Sequence, residues 1–189
     1  MDEQKVILES GRFKLAIDRI CYQLIETYDD FKDTCLVGIQ PRGTLLANRI
    51  HQRLLEITKV PRIEYGRLDI TFFRDDFRTS EKPLLPHSNE FDFLVENKKV
   101  ILIDDVLYTG RTIQAAMTAL NHYGRPTNVE LVVMVDRRFN RHLPIQPDFS
   151  GITVDSVDQA YVKVLWEEEF TQAKVILYAT KNNSTLVNE

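Results

Sequence analysis

An uninterrupted apolar run, Val100-Ile101-Leu102-Ile103, leads straight into two acids, Asp104-Asp105, and then into Val106-Leu107-Tyr108-Thr109-Gly110-Arg111-Thr112. Such continuous apolarity marks a strand buried on both faces, as in parallel sheets covered by helices on each side. Past Arg111, the apolar positions Ile113, Ala116, Met117 and Leu120 recur at helical intervals until Gly124 and Pro126 supply a stop. The hydroxyl-rich turn is therefore a helix amino terminus seated at the carboxyl end of a strand. Backbone N–H groups from Tyr108 to Thr112, the positive end of the helix dipole and the hydroxyls of Thr109 and Thr112 converge there, as a phosphate monoester requires. Gly110 lets the backbone approach the anion closely.

Asp104 and Asp105 cannot serve the same phosphate, because like charges repel and burying carboxylates is costly unless something donates hydrogen bonds to them. The vicinal hydroxyls of a ribose are suitable donors, with a divalent cation as a second candidate. The segment thus suits a ribose 5-phosphate. It lacks the Gly-Lys-Ser/Thr ending of a Walker loop and the spaced glycines of a dinucleotide fingerprint. Taken singly, the acids could merely end a strand and the threonines cap a helix. Their combination argues against that reading.

The remaining sequence fits one domain spanning residues 1–189, since 189 residues with 43% hydrophobic content can bury a single core. Apolar periodicity predicts a helix over Ser10–Tyr28, a strand over Thr34–Ile39 and a helix with Leu46, Ala47, Ile50 and Leu54 on one face. Strands are then expected over Arg62–Phe73, Lys99–Ile103 and Val129–Val135. Strand followed by helix, repeated, implies an α/β fold with a doubly wound, mostly parallel sheet, helices on both faces and right-handed crossovers. Ligands of such sheets sit beyond the strand carboxyl ends, where Gln40 to Gly43, Asp104 to Thr112 and Asp136 to His142 all fall.

Gln40-Pro41-Arg42-Gly43 repeats the strand-to-helix logic with a guanidinium that can fork onto phosphate oxygens, which suits a pyrophosphate. The aperiodic stretch from Arg74 to Asn97 is long for a compact domain and is expected to be a lid-like loop. Cys21 and Cys35 fall on apolar faces and read as core thiols without a disulfide scaffold. His51, His87, His122 and His142 lack metal-ligand spacing. With no signal-like start and no apolar segment of bilayer length, the expectation is a cytoplasmic protein that does not engage membranes. A net charge of −4 and a pI near 5.6 argue against whole-molecule attraction to nucleic acid.

Asp104-Asp105-Val106-Leu107-Tyr108-Thr109-Gly110-Arg111-Thr112 resembles the phosphoribosyl-pyrophosphate (PRPP) signature of type I phosphoribosyltransferases, and its wording is most similar to that of the PyrR family. Leu36-Val37-Gly38-Ile39-Gln40-Pro41-Arg42-Gly43, Asp69-Ile70-Thr71-Phe72-Phe73-Arg74-Asp75-Asp76, Val135-Asp136-Arg137-Arg138 and Leu143-Pro144-Ile145 extend the likeness in the same order. The resemblance implies transfer of 5-phosphoribosyl from PRPP to uracil, giving UMP and pyrophosphate. The competing implication is an RNA-binding attenuation regulator of pyrimidine genes, acting on an mRNA leader with UMP and PRPP as effectors.

By the same resemblance, Asp104, Asp105 and Arg74 would be catalytic, with Arg74 meeting pyrophosphate when the lid closes. Gln40, Pro41, Arg42, Gly43 and the run Val106, Leu107, Tyr108, Thr109, Gly110, Arg111, Thr112 would bind PRPP. A cis peptide is expected somewhere in the loop around residues 39–42. Val135, Asp136 and Arg137 would border the base, under a small hood built from about residue 137 onward. Magnesium would arrive with PRPP near Asp104 and Asp105. Purine-using relatives generally carry an acid where Tyr108 stands, and a phenol with a pKa of about 10 is a poor substitute, which favours a pyrimidine. Arg19, Arg138 and Arg141 are the candidates for an RNA face, although Asp18, Tyr22 and Ile152 depart from what such a face needs. Relatives associate, so a homo-oligomer, dimer or higher, is expected.

Overall fold

The computed structural model describes residues 4–75, 91–155, 160–166 and 173–178. The elements run β1 (Gln4–Leu8), α1 (Ser10–Tyr28), β2 (Thr34–Ile39), α2 (Gly43–Thr58), β3 (Glu64–Leu68), β4 (Lys99–Leu107), α3 (Arg111–Leu120), β5 (Asn128–Arg137), β6 (Phe149–Val154), β7 (Tyr161–Trp166) and β8 (Ala173–Tyr178). Single 3-10 turns occupy Thr71–Phe73 and Asn121–Tyr123.

The main sheet is five-stranded in the order β3-β2-β4-β5-β6, and every neighbouring pair in it is parallel. Side-chain alternation explains why its central strands are apolar throughout. Leu36 of β2 and Ile101 and Ile103 of β4 face α1 and α2, whereas Cys35, Val37, Val100 and Leu102 face α3. Helices therefore cover both faces, as the alternation of strand and helix predicted. Burial raises both thiols, Cys21 and Cys35, to about 12, as expected of core cysteines.

The chain leaves β2 toward β3 on one side and returns to β4 on the other, so the sheet reverses direction between β2 and β4. Ligands of open parallel sheets bind beyond the strand ends at such a reversal. A second sheet, antiparallel and three-stranded in the order β1-β8-β7, contains the later segments expected to build the hood.

Three expectations are corrected. The strand expected over Arg62–Phe73 is only Glu64–Leu68, because the chain turns at Asp69, whose Oδ1 accepts the Thr71 N–H (2.8 Å) and the Thr71 hydroxyl (2.6 Å). The strand expected to end at Ile103 continues to Leu107, carrying both acids inside the ladder. The hood expected from about residue 137 onward also recruits β1, which pairs with β8. Of the lid-like loop expected at 74–97, residues 76–90 lie outside the described residues. No helix among the described residues is long and apolar enough to cross a membrane.

Candidate functional site

Asp104 and Asp105 are buried near the end of β4, 7% and 5% exposed. Two adjacent acids can be buried there because each receives hydrogen bonds. The Asp105 N–H donates to Asp104 Oδ1 (2.9 Å), and Arg42 Nε donates to Asp105 Oδ2 (2.8 Å). Burial, and next the Asp105 charge, push Asp104 well above the usual carboxylate range; the Asp105 N–H, Arg42 and Arg74 pull the other way. The charge of Arg74 thus reaches Asp104.

The first turn, Gln40 to Gly43, follows β2. Its cis peptide is Gln40–Pro41, and the Gln40 N–H donates to Leu68 O (2.9 Å). Gly43 opens α2 directly against β4: a Cβ there would lie 2.5 Å from Ile103 O and 3.1 Å from Asp104 Oδ1. Only glycine lets this helix end reach the acids. Arg42, expected to fork onto phosphate oxygens, is engaged within the chain here. Besides Asp105, it donates through Nη2 to Val164 O of β7 (2.7 Å), so it links the acid pair to the hood.

The second turn closes β4 with Val106 half-buried and Leu107 buried, and Gly110 adopts a φ of 91° before α3 begins at Arg111. Its peptide carbonyls are held from outside. Tyr108 O accepts from Arg141 Nη1, and Thr109 O accepts the His142 N–H (3.0 Å) and the Leu143 N–H (3.3 Å). Thr109 Oγ1 accepts from the Arg111 N–H at 3.4 Å, and Thr112 sits half-buried in the first turn of α3. The Arg111 guanidinium pairs with Asp75 and donates to His142 Nδ1 (3.4 Å). Sequence reasoning missed Asp75 and His142 as partners, since nothing local marks them.

At the end of β5, Val135 is fully buried, and Asp136 and Arg137 take different directions. Asp136 pairs with Arg141. Arg137 turns to the hood, donating to Ala160 O (2.7 Å) with its guanidinium 3.9 Å from the Tyr108 ring centroid. Burial lowers its pKa, against a raising contribution from the Tyr108 hydroxyl. Outside this strand end lies a concavity of about 360 Å³ bordered by Asp136, Arg138, Arg141, Ile145 and Gln146.

The arginines expected to face RNA are engaged within the chain. Arg19 donates to the carbonyls of Ser150 (2.9 Å) and Gly151, Arg138 pairs with Asp155, and Arg141 holds Asp136 and Tyr108. Sequence reasoning also missed Trp166, which ends β7 edge-on to Phe13 (5.4 Å between centroids) with the Arg49 guanidinium 4.7 Å from its ring. Being the only tryptophan in the chain was its sole signal. Among the described residues no group of three or more His, Cys, Asp or Glu could hold a metal ion.

The family model described as phosphoribosyl transferase domain matches residues 3–169. The chain belongs to the phosphoribosyltransferase family. It is 40% identical over 178 residues to the "Bifunctional protein PyrR" of Caldicellulosiruptor bescii, covering 94% of this chain and 96% of that protein. It is 41% identical over 165 residues to the PyrR protein of Enterococcus faecalis, covering 87% and 91%. The chain is thus a type I phosphoribosyltransferase of the PyrR group. Solved structures agree on the fold: a hypoxanthine phosphoribosyltransferase from Staphylococcus aureus superposes with a TM-score of 0.65 at 19% identity, covering 84% of this chain and 79% of that one. An HGPRT-ase from Leishmania tarentolae in complex with GMP gives 0.63 at 16% identity, covering 84% of each.

Proposed function

We propose that this phosphoribosyltransferase transfers the 5-phosphoribosyl group of PRPP to N1 of uracil, forming UMP and pyrophosphate. The observation that carries the reading is the buried acid pair, Asp104 and Asp105, lying one short turn before the amide-lined helix end at Tyr108 to Thr112. The acids would accept the ribose hydroxyls while the turn takes the 5-phosphate. Their charge also favours an oxocarbenium-like sugar as pyrophosphate departs. Arg74, whose charge already acts on Asp104, and Arg42 would assist the leaving group. The C1′–O bond to pyrophosphate breaks, the C1′–N1 bond forms, and the N1 proton leaves to solvent. No covalent nucleophile is needed, because positioning supplies much of the rate.

Magnesium fits this donor set as an ion carried in by the pyrophosphate, since two carboxylates without a third ligand match a hydrated ion better than an all-protein cage. Held near Asp104 and Asp105, it would neutralise charge on the leaving pyrophosphate. The acceptor preference rests on Tyr108 and on kinship with PyrR proteins. A panel of free bases assayed with PRPP tests it: uracil alone should support pyrophosphate release, and turnover of hypoxanthine or guanine instead would refute the assignment. Work in the cytoplasm and assembly into a homo-oligomer belong to the same proposal.

The second reading, an RNA attenuation regulator using UMP and PRPP as effectors, is favoured by the bifunctional character that the PyrR relatives' name carries. Arg19, Arg138 and Arg141 each have intrachain partners that an mRNA leader would have to compete with, least so at Arg138, whose pair with Asp155 is solvent-exposed. Titration with a pyrimidine-operon leader RNA at increasing salt decides: sub-micromolar affinity that falls steeply with salt supports regulation, and weak binding indifferent to sequence removes it.

A further inference from the structure

The anion-binding turn after β4 has an outer side, and one residue dominates it. Arg141 lies beyond β5, with its side chain 16% exposed, and sends Nη2 to Asp136 Oδ1 and Nη1 to Tyr108 O, each at 2.5 Å. It therefore joins the end of β5 to the end of β4. The two residues that follow continue the clasp: the His142 and Leu143 N–H groups both donate to Thr109 O, and the Arg111 guanidinium meets the His142 ring. Gly110 sits against the same segment, where a Cβ would lie 3.3 Å from Leu143 and Ile145 side-chain atoms.

Peptide planarity turns this clasp into a statement about the anion site. In a trans peptide the C=O of one residue and the N–H of the next point in opposite directions. The carbonyls of Tyr108 and Thr109 are drawn outward by Arg141, His142 and Leu143. The N–H groups of Thr109 and Gly110 must then point inward, toward the site assigned to the 5-phosphate. Freed from the clasp, either peptide could rotate and present a carbonyl to the anion.

We propose that Arg141 is a positioning residue for the 5-phosphate site: it locks the Tyr108–Thr109 peptide with its amide facing the phosphate and pins that turn to the base-bordering strand through Asp136. The proposal rests on the assignment of the turn to a ribose 5-phosphate and adds a role that its residues alone do not have. Arg141 need not touch substrate. Its effect should fall on ligands that carry the ribose phosphate and spare pyrophosphate, which is assigned to Arg42 and Arg74.

The test is calorimetric titration of the full chain with ribose 5-phosphate and, separately, with magnesium pyrophosphate. Arg141→Gln is expected to weaken ribose 5-phosphate by about tenfold, the loss of an ion-assisted hydrogen bond, with pyrophosphate unchanged. Arg141→Lys, which keeps the charge but cannot fork between Asp136 and Tyr108 O, should fall between the two. Because Arg141→Gln takes from buried Asp136 the cation it is hydrogen-bonded to, leaving only the more distant charge of Arg138, the double variant Asp136→Asn/Arg141→Gln is measured alongside it and should show the same selective loss. Equal weakening of both ligands in the double variant, or unchanged ribose 5-phosphate affinity, would overturn the proposal. Failure of the unsubstituted protein to bind ribose 5-phosphate would instead strike the functional reading beneath it.

Discussion

The chain presents two helix amino termini to one site, and they are built on opposite principles. The turn at Gln40 to Gly43 starts its helix without any positive φ, and its charged residue, Arg42, is already joined to Asp105 and to the hood carbonyl of Val164. The turn at Tyr108 to Thr112 depends on Gly110 at a φ of 91°, and its support comes from a clasp on the outer side. The first turn is defined by what it touches inside the site, the second by what holds it from behind. The same helix-end chemistry can thus be stabilised through charge or through backbone geometry, and the two should fail differently.

The sharpest break in that comparison is to remove the charge that both turns share. Asp104→Asn combined with Asp105→Asn should lower kcat/KM for uracil-dependent pyrophosphate release by about a thousandfold. Retained turnover in that double variant would contradict the role given to the acids. Next in size, Arg42→Gln removes the guanidinium hydrogen-bonded to Asp105 and should weaken pyrophosphate and PRPP by about tenfold to a hundredfold, well beyond its effect on ribose 5-phosphate, whose phosphate is held at the other turn. Loss of both affinities together would merge the two turns into one unit.

Stability measurements sharpen the contrast further. Gly43→Ala forces a methyl group to 2.5 Å from Ile103 O, and crowding of this kind costs about 1–3 kcal/mol. Gly110→Ala meets side chains at 3.3 Å, but its left-handed backbone costs about 1–2 kcal/mol. Thermal melts should therefore rank Gly43→Ala at or below Gly110→Ala, and the reverse order would mean that backbone strain at the second turn outweighs crowding at the first.

The smallest effect concerns pH. Burial raises Asp104, so the folded chain keeps that proton to a higher pH than the unfolded chain does. Its favourable contribution is present in full below the unfolded carboxylate range and is lost as pH rises through the elevated folded value. The melting temperature of the ligand-free protein should consequently drop relative to that of Asp104→Asn between acid and neutral pH. PRPP affinity should run the other way, since the ribose hydroxyls need the ionised acceptor. A gap between the two proteins that does not change with pH would show that Asp104 titrates alike in the folded and unfolded chains and would overturn its elevation.

Local pattern made α1 and β2 readable to their end residues, Ser10–Tyr28 and Thr34–Ile39, because one stripe and one buried run specify them without help from distant chain. The turn after β4 was readable for the same reason. Strand β4 was cut short in the sequence because two acids look like a strand end; the ladder with β5 runs on past them, and Arg42, distant in sequence and invisible to any local window, partners Asp105. The small sheet escaped notice because β1 is meaningful only once β8 is paired with it. Arg141 was read only as a candidate for an RNA face, because nothing in the sequence marks Asp136 and the Tyr108 carbonyl as its partners.

Strand β1 is made first and waits for a partner made almost last. During synthesis the five-stranded sheet has all its strands once residue 154 has emerged, whereas β1 stays unpaired until residues 173–178 follow. Assembly of the five-stranded sheet can therefore precede that of the small one, but Val162, Val164, Ala173 and Val175 complete the core over α1 and α2, so a chain ending after β6 would leave that core open and Arg42 without its Val164 carbonyl.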